Sequence, residues 1–306
     1  MNKYSFFKKK YNGVEEVKGN RNNHSFIFKE NNKKKFFKIF TRKSSFQREL
    51  NFYKNFKDSK VKKNIPKFLS YSHKEKYIIL EFVKLKKYKD QDKYLKHLFK
   101  FVVDTNIIRV KNKWNSREKF ISPKHFVNKI KLRIKKLVIV SEAENFKHPK
   151  LKKLIQILIT KLEKILKKVN SDKSNKNQEL FSQSDIGIHN AGIFNSNPIF
   201  FDFEYCGLDN PIKMMSDTYY QPEFNIEYKN YKVFFKKIKK HFNFKFNEND
   251  LLIEQLLKIK MVTNVCNIFV KEQYVLDGLD KVYLENLKKK RLIKCFKILK
   301  KKSFLI

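Results

Sequence analysis

The sequence predicts an α+β fold with two lobes: a small N-terminal lobe built on an antiparallel sheet, and a larger, mainly helical C-terminal lobe. Three observations favour this fold. Aromatic-rich runs of strand length fill the first part of the chain, apolar residues recur at helical spacing from Lys93 onward, and short strands with polar ends interrupt the helices after residue 180. We place the N-terminal lobe at residues 1–83 and the C-terminal lobe at residues 84–306.

The first predicted element is a hairpin of two strands. Residues 25–28 and 36–40 are short aromatic-rich runs, and the polar residues 29–35 between them are typical of the turn in an antiparallel pair. Before the hairpin, residues 19–24 are rich in Gly and Asn. Such a segment is most often an ordinary polar turn, but Gly and Asn also tolerate the left-handed backbone that a loop over phosphates needs.

Lys38 interrupts the second strand of this hairpin. A lone strand lysine usually faces solvent, and that is the simpler interpretation in a chain so rich in lysine. Glu49, however, follows Lys38 inside a predicted helix over residues 45–56. Kinase-like folds use a strand lysine, paired with the glutamate of a following helix, to hold nucleotide phosphates. The pair therefore raises the hypothesis of a nucleotide site.

The next predicted strand, over residues 77–83, is buried and apolar. In a two-lobed kinase the exit from such a strand becomes the hinge at the adenine, which we place at Glu81 to Val83. An ordinary core strand is the alternative. Beyond it, apolar stripes predict several helices, of which the clearest runs from Leu151 to Val169, and three further helices are predicted at the end of the chain. These cover residues 228–241, 250–270 and 280–301.

Three polar residues follow short apolar segments in the centre of the chain. Asp185 precedes Asn190, with Gly187 between them to permit a sharp turn, and a predicted strand over 199–201 ends at Asp202. Hairpin geometry would bring Asp202 beside Asn190. Taken singly, each residue is more often a turn or cap residue. Together they form the set that phosphoryl transfer to a hydroxyl needs, because one carboxylate accepts the proton while an amide and a second carboxylate hold Mg²⁺.

Around these residues the sequence resembles a known family. Residues 182–190 read SQSDIGIHN and residues 202–205 read DFEY. Both segments resemble the phosphotransferase enzyme family that includes aminoglycoside phosphotransferases, choline kinase and homoserine kinase-like proteins. They are most similar to a subgroup with the motifs SPSDFGFHN and DFEY, which is associated with bacterial surface-polysaccharide gene clusters.

The resemblance implies a protein-kinase-like fold and an ATP- or GTP-dependent phosphotransferase that uses Mg²⁺. Its acceptor would be a hydroxyl of a small molecule, such as a sugar or an amino-alcohol. Asp185 would be the catalytic base, and Asn190 and Asp202 would bind the metal. The residues expected to bind the nucleotide are Lys38, Glu49, Asn22, Asn23, Glu81 and Val83.

One position departs from the family's motif. Gln183 stands two residues before the expected base, where the family has histidine. That histidine mainly organises the backbone, so the change leaves the proton acceptor in place. It keeps open the alternative of a kinase-like protein that binds nucleotide without turnover.

The composition leaves a third interpretation open. The formal net charge is +41, with 33% charged and 41% apolar residues, which suits a globular core but also invites polyanions. Lysine is spread along the entire chain rather than gathered in one patch, so we expect no specific nucleic-acid partner. The basic helix over residues 280–301 leaves weak contact with an anionic membrane surface as an alternative.

The remaining features concern the cellular compartment. Cys206, Cys266 and Cys295 are isolated along the chain and lack metal-binding spacing, which is typical of a reducing compartment. No signal-peptide core and no uncharged apolar run of transmembrane length is visible. We therefore expect a cytoplasmic protein. The acceptor, the choice between ATP and GTP and the oligomeric state stay open at this point.

Overall fold

The computed structural model describes residues 11, 13–17, 23–108, 110, 113–143, 147–168, 179–185, 187–270 and 280–306. The chain divides into two compact units. The first unit consists of residues 1–119 and 180–209, and the second consists of residues 120–179 and 210–306. The lobe boundary predicted at residue 83 stays a prediction. The two compact units are a different division, because the first of them also includes residues 180–209.

A five-stranded antiparallel sheet begins the first unit. Its strands are β1 (Glu15–Glu16), β2 (Asn23–Glu30), β3 (Lys33–Phe40), β4 (Phe68–Ser72) and β5 (Tyr77–Glu81), in the spatial order β1-β2-β3-β5-β4. Aromatic and β-branched residues, which favour strands, supply the buried cluster of Phe26, Phe28, Phe37 and Ile79. The predicted hairpin is therefore the centre of this sheet.

The hairpin turn is shorter than the predicted polar segment 29–35. The two strands continue to Glu30 and from Lys33, and only Asn31 and Asn32 connect them. Both asparagines have left-handed backbones, with φ of 50° and 58°. Two consecutive left-handed residues form the two-residue turn that matches strand twist, and asparagine tolerates this conformation. The charged residues of the segment thus belong to the strands.

The described part of the first unit also contains two α-helices and two small strand pairs. Helix α1 (Lys43–Phe56) packs against β3 and β5, and helix α2 (Gln91–Ile107) begins at Asp90, whose side chain accepts a hydrogen bond from the N–H of Asp92 (2.8 Å). The small strands are β6 (Leu180–Ser182), β7 (Ala191–Phe194), β8 (Asn197–Phe200) and β9 (Gly207–Asp209). β6 pairs with β9 and β7 pairs with β8, both antiparallel.

The described part of the second unit is helical. Its α-helices are α3 (Pro123–Ser141), α4 (Pro149–Leu166), α5 (Pro211–Tyr219), α6 (Tyr228–His241), α7 (Glu248–Val265) and α8 (Lys281–Lys300). Helix α7 packs against α3, α4, α5 and α8 and so forms the centre of this unit. The predicted helix over residues 250–270 ends earlier as an α-helix and continues as a short 3₁₀ helix, Cys266–Phe269. No described helix combines the length and the apolarity that crossing a bilayer requires.

Two cysteines that are isolated along the chain meet in the second unit. The sulfur atoms of Cys266 and Cys295 lie 3.4 Å apart, and both thiols are buried and reduced. Helix α8 packs against the 3₁₀ helix that contains Cys266, and this contact brings the two residues together. The spacing of the two cysteines along the sequence does not indicate this contact.

Candidate active site

The sheet and helix α1 bury a lysine–glutamate pair inside the first unit. Lys38 lies on the central strand β3, opposite Ser25 of β2 and Ile78 of β5, and its side chain is 7% exposed. Its Nζ lies 2.7 Å from Oε2 of Glu49 and 2.7 Å from Oδ1 of Asp202. A strand, a helix and a distant loop therefore supply the three groups of one ion-pair network.

Burial and charge act in opposite directions on this network. Burial by itself would lower the pKa of Lys38, but the carboxylates of Asp202 and Glu49 outweigh it and hold that pKa above its usual value. Burial also raises the pKa of Glu49 to about 7, and the charge of Lys38 offsets only part of this effect. Lys38 is thus a cation near neutral pH, whereas Glu49, with a pKa of about 7, is only partly ionised there.

Asp202 follows β8 in a left-handed backbone conformation, with φ of 65°. Such conformations cost on the order of 1–3 kcal/mol outside glycine, so the surrounding contacts must hold them. One contact comes from the β7–β8 hairpin, because the N–H of Phe201 donates to the carbonyl oxygen of Asn190 over 3.0 Å. Lys38 holds the carboxylate itself. Asn190 and Asp202 therefore lie at the same end of the hairpin.

The loop with Asp185 is tied to the same end. The side-chain amide of Asn190 donates to the backbone carbonyl of Asp185 over 3.0 Å. The side-chain amide of Gln183, which is buried, donates to the carbonyl of Phe201 over 2.8 Å. Gln183 thus connects the Asp185 loop to the residue before Asp202, which is a backbone-organising contact.

Asp185 has a basic neighbour to which the sequence analysis assigned no role. Nε2 of His189 lies 3.6 Å from Oδ2 of Asp185, and the Asp185 side chain is 38% exposed. The short 3₁₀ helix Ile188–Asn190 turns the chain back, so a residue four positions later faces the carboxylate. The spacing of four residues between Asp185 and His189 was the feature of the sequence that could have indicated this contact. The exposed carboxylate is accessible to a molecule that arrives from solvent.

Of the two asparagines predicted for the phosphate loop, the structure describes Asn23. Asn22 lies outside the described residues. Asn23 is the first residue of β2 rather than part of a loop, because the β2–β3 ladder continues to its pair with Phe40. Its side-chain nitrogen donates to Oε2 of Glu204 over 2.8 Å, and its buried side-chain oxygen has no hydrogen-bond partner among the described residues. Burial raises the pKa of Glu204, although Lys38 acts against this.

The predicted hinge follows β5. Glu81 is the exposed last residue of that strand, and Val83 lies two residues beyond it. The N–H of Glu81 donates to the carbonyl of Lys67 (2.9 Å), and the N–H of Phe82 donates to the carbonyl of Lys34 (3.3 Å). A nucleotide base would therefore have to use other backbone groups of this segment. The role of the hinge stays a prediction.

The residues that follow α2 form a further part of the site, and no sequence motif indicates it. The N–H of Arg117 donates to the carbonyl of Tyr205 over 3.1 Å, and its guanidinium group lies 4.4 Å from the centre of the Tyr205 ring. Beside it, the N–H of Leu208 donates to the carbonyl of Trp114 over 2.7 Å. The contacts join segments far apart along the chain, so local patterns could not predict them.

The donor chemistry of the site suits a hard cation. Asp202, Asn190 and Glu204 offer carboxylate and amide oxygens, and the unpartnered oxygen of Asn23 is one more acceptor. Among the described residues no group of three His, Cys, Asp or Glu side chains forms a metal site by itself. Mg²⁺ in kinases usually takes one or two protein carboxylates together with phosphate oxygens and water. The residues present fit that kind of site.

The comparisons with known proteins give matches among solved structures. Neither the models of protein families nor the curated protein sequences match the chain. A putative aminoglycoside phosphotransferase from Ralstonia eutropha JMP134 has a TM-score of 0.61 at 11% identity, with 98% of each chain covered. Choline kinase from Cryptosporidium parvum Iowa II has a TM-score of 0.55 at 12% identity, covering 98% of this chain and 93% of that one. The chain has the fold of these small-molecule kinases.

A third structure with this kinase-like fold holds its ligands. A thermostable mutant of aminoglycoside phosphotransferase APH(4)-Ia, in a ternary complex with ADP and hygromycin B, has a TM-score of 0.58 at 9% identity, with 98% of both chains covered. The matches confirm the predicted α+β, protein-kinase-like fold class, with its N-terminal antiparallel sheet and its mainly helical remainder. At this level of identity they establish the fold, and the activity is argued from the residues of the site.

Proposed function

We propose that the chain transfers the terminal phosphoryl group of ATP or GTP to a hydroxyl of a small molecule, with Mg²⁺. The observation that supports this most directly is the network of Lys38, Glu49 and Asp202, two contacts of 2.7 Å centred on one buried ammonium group. Asp185 and Asn190 stand at the end of the hairpin that leads to Asp202. Kinase-like sites assemble these groups for phosphoryl transfer.

The nucleotide has a natural place beside Lys38. The charge of its side chain is maintained by two carboxylates, so it can contact phosphate oxygens without losing its proton. Glu49 keeps it in position. Asn22 and Asn23 are assigned to the phosphate end and Glu81 to Val83 to the base, in line with the resemblance of the sequence.

Asp202 and Asn190 are assigned to the metal, with Glu204 close by. When bound, Mg²⁺ neutralises charge on the phosphate oxygens and favours a productive arrangement of the triphosphate. Lys38 contacts the same Asp202 carboxylate and so holds its orientation. Gln183 contributes indirectly, since its hydrogen bond holds the backbone just before Asp202.

Asp185 is assigned the role of general base. The acceptor oxygen forms a bond to the terminal phosphorus, the bond from that phosphorus to the bridging oxygen breaks, and the nucleoside diphosphate leaves. The hydroxyl proton passes to the Asp185 carboxylate and then to solvent, which the partly exposed side chain allows. The Asn190 amide fixes the backbone of the base. Sugars and amino-alcohols, in a cytoplasmic setting, are the acceptors that the resemblance favours.

Two substitutions separate binding from chemistry. Asp185→Ala should lower turnover by about 10²–10⁴-fold, the usual contribution of a general base, while nucleotide binding stays nearly unchanged. Asp202→Ala should instead abolish Mg²⁺-dependent nucleotide binding. ADP release over a panel of hydroxyl acceptors and fluorescence titration with a labelled nucleotide measure the two quantities. Asp58→Ala, at a side chain that is 86% exposed, is the control and should change neither.

Two results would contradict the proposal. If Asp202→Ala bound Mg-ATP like the parent chain, the metal assignment would be wrong. If the parent chain bound Mg-nucleotide tightly but released no ADP with any acceptor, the alternative of a non-catalytic nucleotide-binding protein would replace the kinase.

A further inference from the structure

Arg117 brings a guanidinium group to the segment that follows Asp202. Its backbone N–H is tied to Tyr205, and its guanidinium group rests on the Tyr205 ring at 4.4 Å. One guanidinium nitrogen, Nη1, is buried and has no hydrogen-bond partner among the described residues. A buried donor on a charged group is costly to leave unpaired. This donor therefore marks a place where an acceptor atom is expected.

The Glu204 carboxylate, on which the charge of Arg117 acts, is engaged elsewhere. Glu204 precedes Tyr205, and its Oε2 accepts the hydrogen bond from Asn23. Arg117 acts on the Glu204 carboxylate through charge alone. Glu204 therefore leaves Nη1 without an acceptor among the described residues.

Arg117 and the Asp185 loop contact the same segment, residues 201–205. The N–H of Arg117 donates to the carbonyl of Tyr205, and the side chain of Gln183 in the Asp185 loop donates to the carbonyl of Phe201. Burial is the main cause that raises the pKa of Tyr205, the Glu204 and Asp185 carboxylates add to it, and Arg117 acts against it. The charges of Asp185 and Arg117 both act on Tyr205, in line with their contacts to this one segment. A molecule whose hydroxyl meets Asp185 would bring its other substituents toward this arginine.

We propose that Arg117 binds an anionic substituent, a carboxylate or a phosphate, of the acceptor that Asp185 activates. The acceptor is then an anionic hydroxyl compound, such as a sugar acid or a sugar phosphate. This inference rests on the proposed function. The planar guanidinium group suits both anions because it can donate two parallel hydrogen bonds. The Tyr205 ring, 4.4 Å away, supports the group from one side. The net charge of +41 favours approach of an anion over that of a polycation.

The test compares acceptors that differ only in charge. Glucose, glucuronate and glucose 6-phosphate form one matched set, and glycerol, glycerate and glycerol 3-phosphate form another. ADP release is measured with the parent chain, Arg117→Gln, Arg117→Lys and the control Lys113→Gln, which removes an exposed charge from the same segment. We expect anionic members to be preferred, with Arg117→Gln lowering their kcat/KM by about 30-fold or more, in the range measured when one partner of a charged pair is removed. Arg117→Lys should recover part of the loss, and Lys113→Gln should change it less than twofold.

A second readout does not depend on turnover. With MgADP bound, glucose 6-phosphate and glucuronate are titrated by calorimetry into the parent chain and into Arg117→Gln. Binding to the parent chain but not to Arg117→Gln supports the proposal. Which of the two ligands binds shows whether the site prefers a phosphate or a carboxylate. Equal binding, or no binding to either chain, overturns it.

Two kinetic results would also overturn it. One is a preference for neutral or cationic acceptors that Arg117→Gln leaves unchanged. The other is an equal loss of turnover with neutral and anionic acceptors, since that would place Arg117 on the transferred phosphoryl group. Failure of the proposed function would look different, because the parent chain would then either not bind MgADP or release no ADP with any acceptor, neutral or anionic.

Discussion

Lys38 and Glu49 show how burial and ion pairing affect the two partners of a buried pair differently. Burial alone would favour a neutral lysine, and the two carboxylates 2.7 Å away reverse that preference. For Glu49, the charge of Lys38 offsets only part of the effect of burial, which raises its pKa to about 7. The pair is thus asymmetric, with a fixed cation and an anion that titrates near neutrality.

This asymmetry predicts a pH dependence of nucleotide binding. As the pH falls through 7, Glu49 takes up a proton and its ion pair with Lys38 weakens, so the affinity for Mg-nucleotide should fall by up to about tenfold per pH unit below that point. Glu49→Gln imitates the protonated form, and its affinity should be low and nearly independent of pH between 6 and 8. Fluorescence titration with a labelled nucleotide at several pH values measures this. Parallel pH profiles for the parent chain and Glu49→Gln would contradict the assignment.

At the scale of elements, two short turns connect the strands that hold the candidate site residues. Asn31 and Asn32 connect β2 to β3, and Asn195 and Ser196 connect β7 to β8, all with left-handed backbones. Each turn uses only two residues, which keeps the strand register fixed and places a functional residue at a known position in each hairpin. The abundance of asparagine in this chain supplies residues that tolerate such turns.

Gly207 lets the segment with Arg117 approach the loop after Asp202. Its φ is 149°, and a Cβ there would lie 2.4 Å from the backbone of Asn115 and Ser116. Gly207→Ala should therefore lower the free energy of unfolding by about 3 kcal/mol or more, from overpacking together with backbone strain. Gly13→Ala is the matched control, since Gly13 has φ of 65° but no atom of the described residues within 4 Å of the added Cβ, and it should cost about 1 kcal/mol. Urea denaturation measures both. An equal decrease in the free energy of unfolding for both variants would mean that the close contact at Gly207 does not contribute to the cost of its substitution.

At the scale of the whole molecule, the excess of charge is distributed. The chain has 71 Lys and Arg against 30 Asp and Glu, spread along its length. A diffuse positive surface attracts polyanions weakly and without sequence preference. It also favours the approach of a nucleotide and of an anionic acceptor, both of which salt would weaken.

This distribution predicts that any RNA binding is separate from the site. We expect RNA affinity to fall steeply between 50 and 200 mM salt, in proportion to the phosphates neutralised, and to be unchanged in Lys38→Ala and Asp202→Ala. Fluorescence anisotropy with a labelled oligonucleotide measures it. Salt-resistant RNA binding that either substitution abolishes would instead point to a specific nucleic-acid site at Lys38.

Much of the site could be predicted from the sequence because its signals are local. Lys38 and Glu49 lie on consecutive elements, and Asp185, Asn190 and Asp202 lie within one loop and hairpin, so spacing and strand geometry are enough to suggest that they meet. The fold class follows in the same way from the change between strand-like runs and helical stripes. Even the departure at Gln183 could be recognised from its position in the motif.

Tertiary structure decided the contacts between distant segments. The hydrogen bond of Asn23 to Glu204, the stacking of Arg117 on Tyr205 and the approach of Cys266 to Cys295 each join residues from separate elements. No periodicity or motif encodes such contacts, because they depend on how side chains of different elements pack together. The sequence by itself therefore determined the chemistry expected at this site, whereas the folded chain determined which further residues surround it.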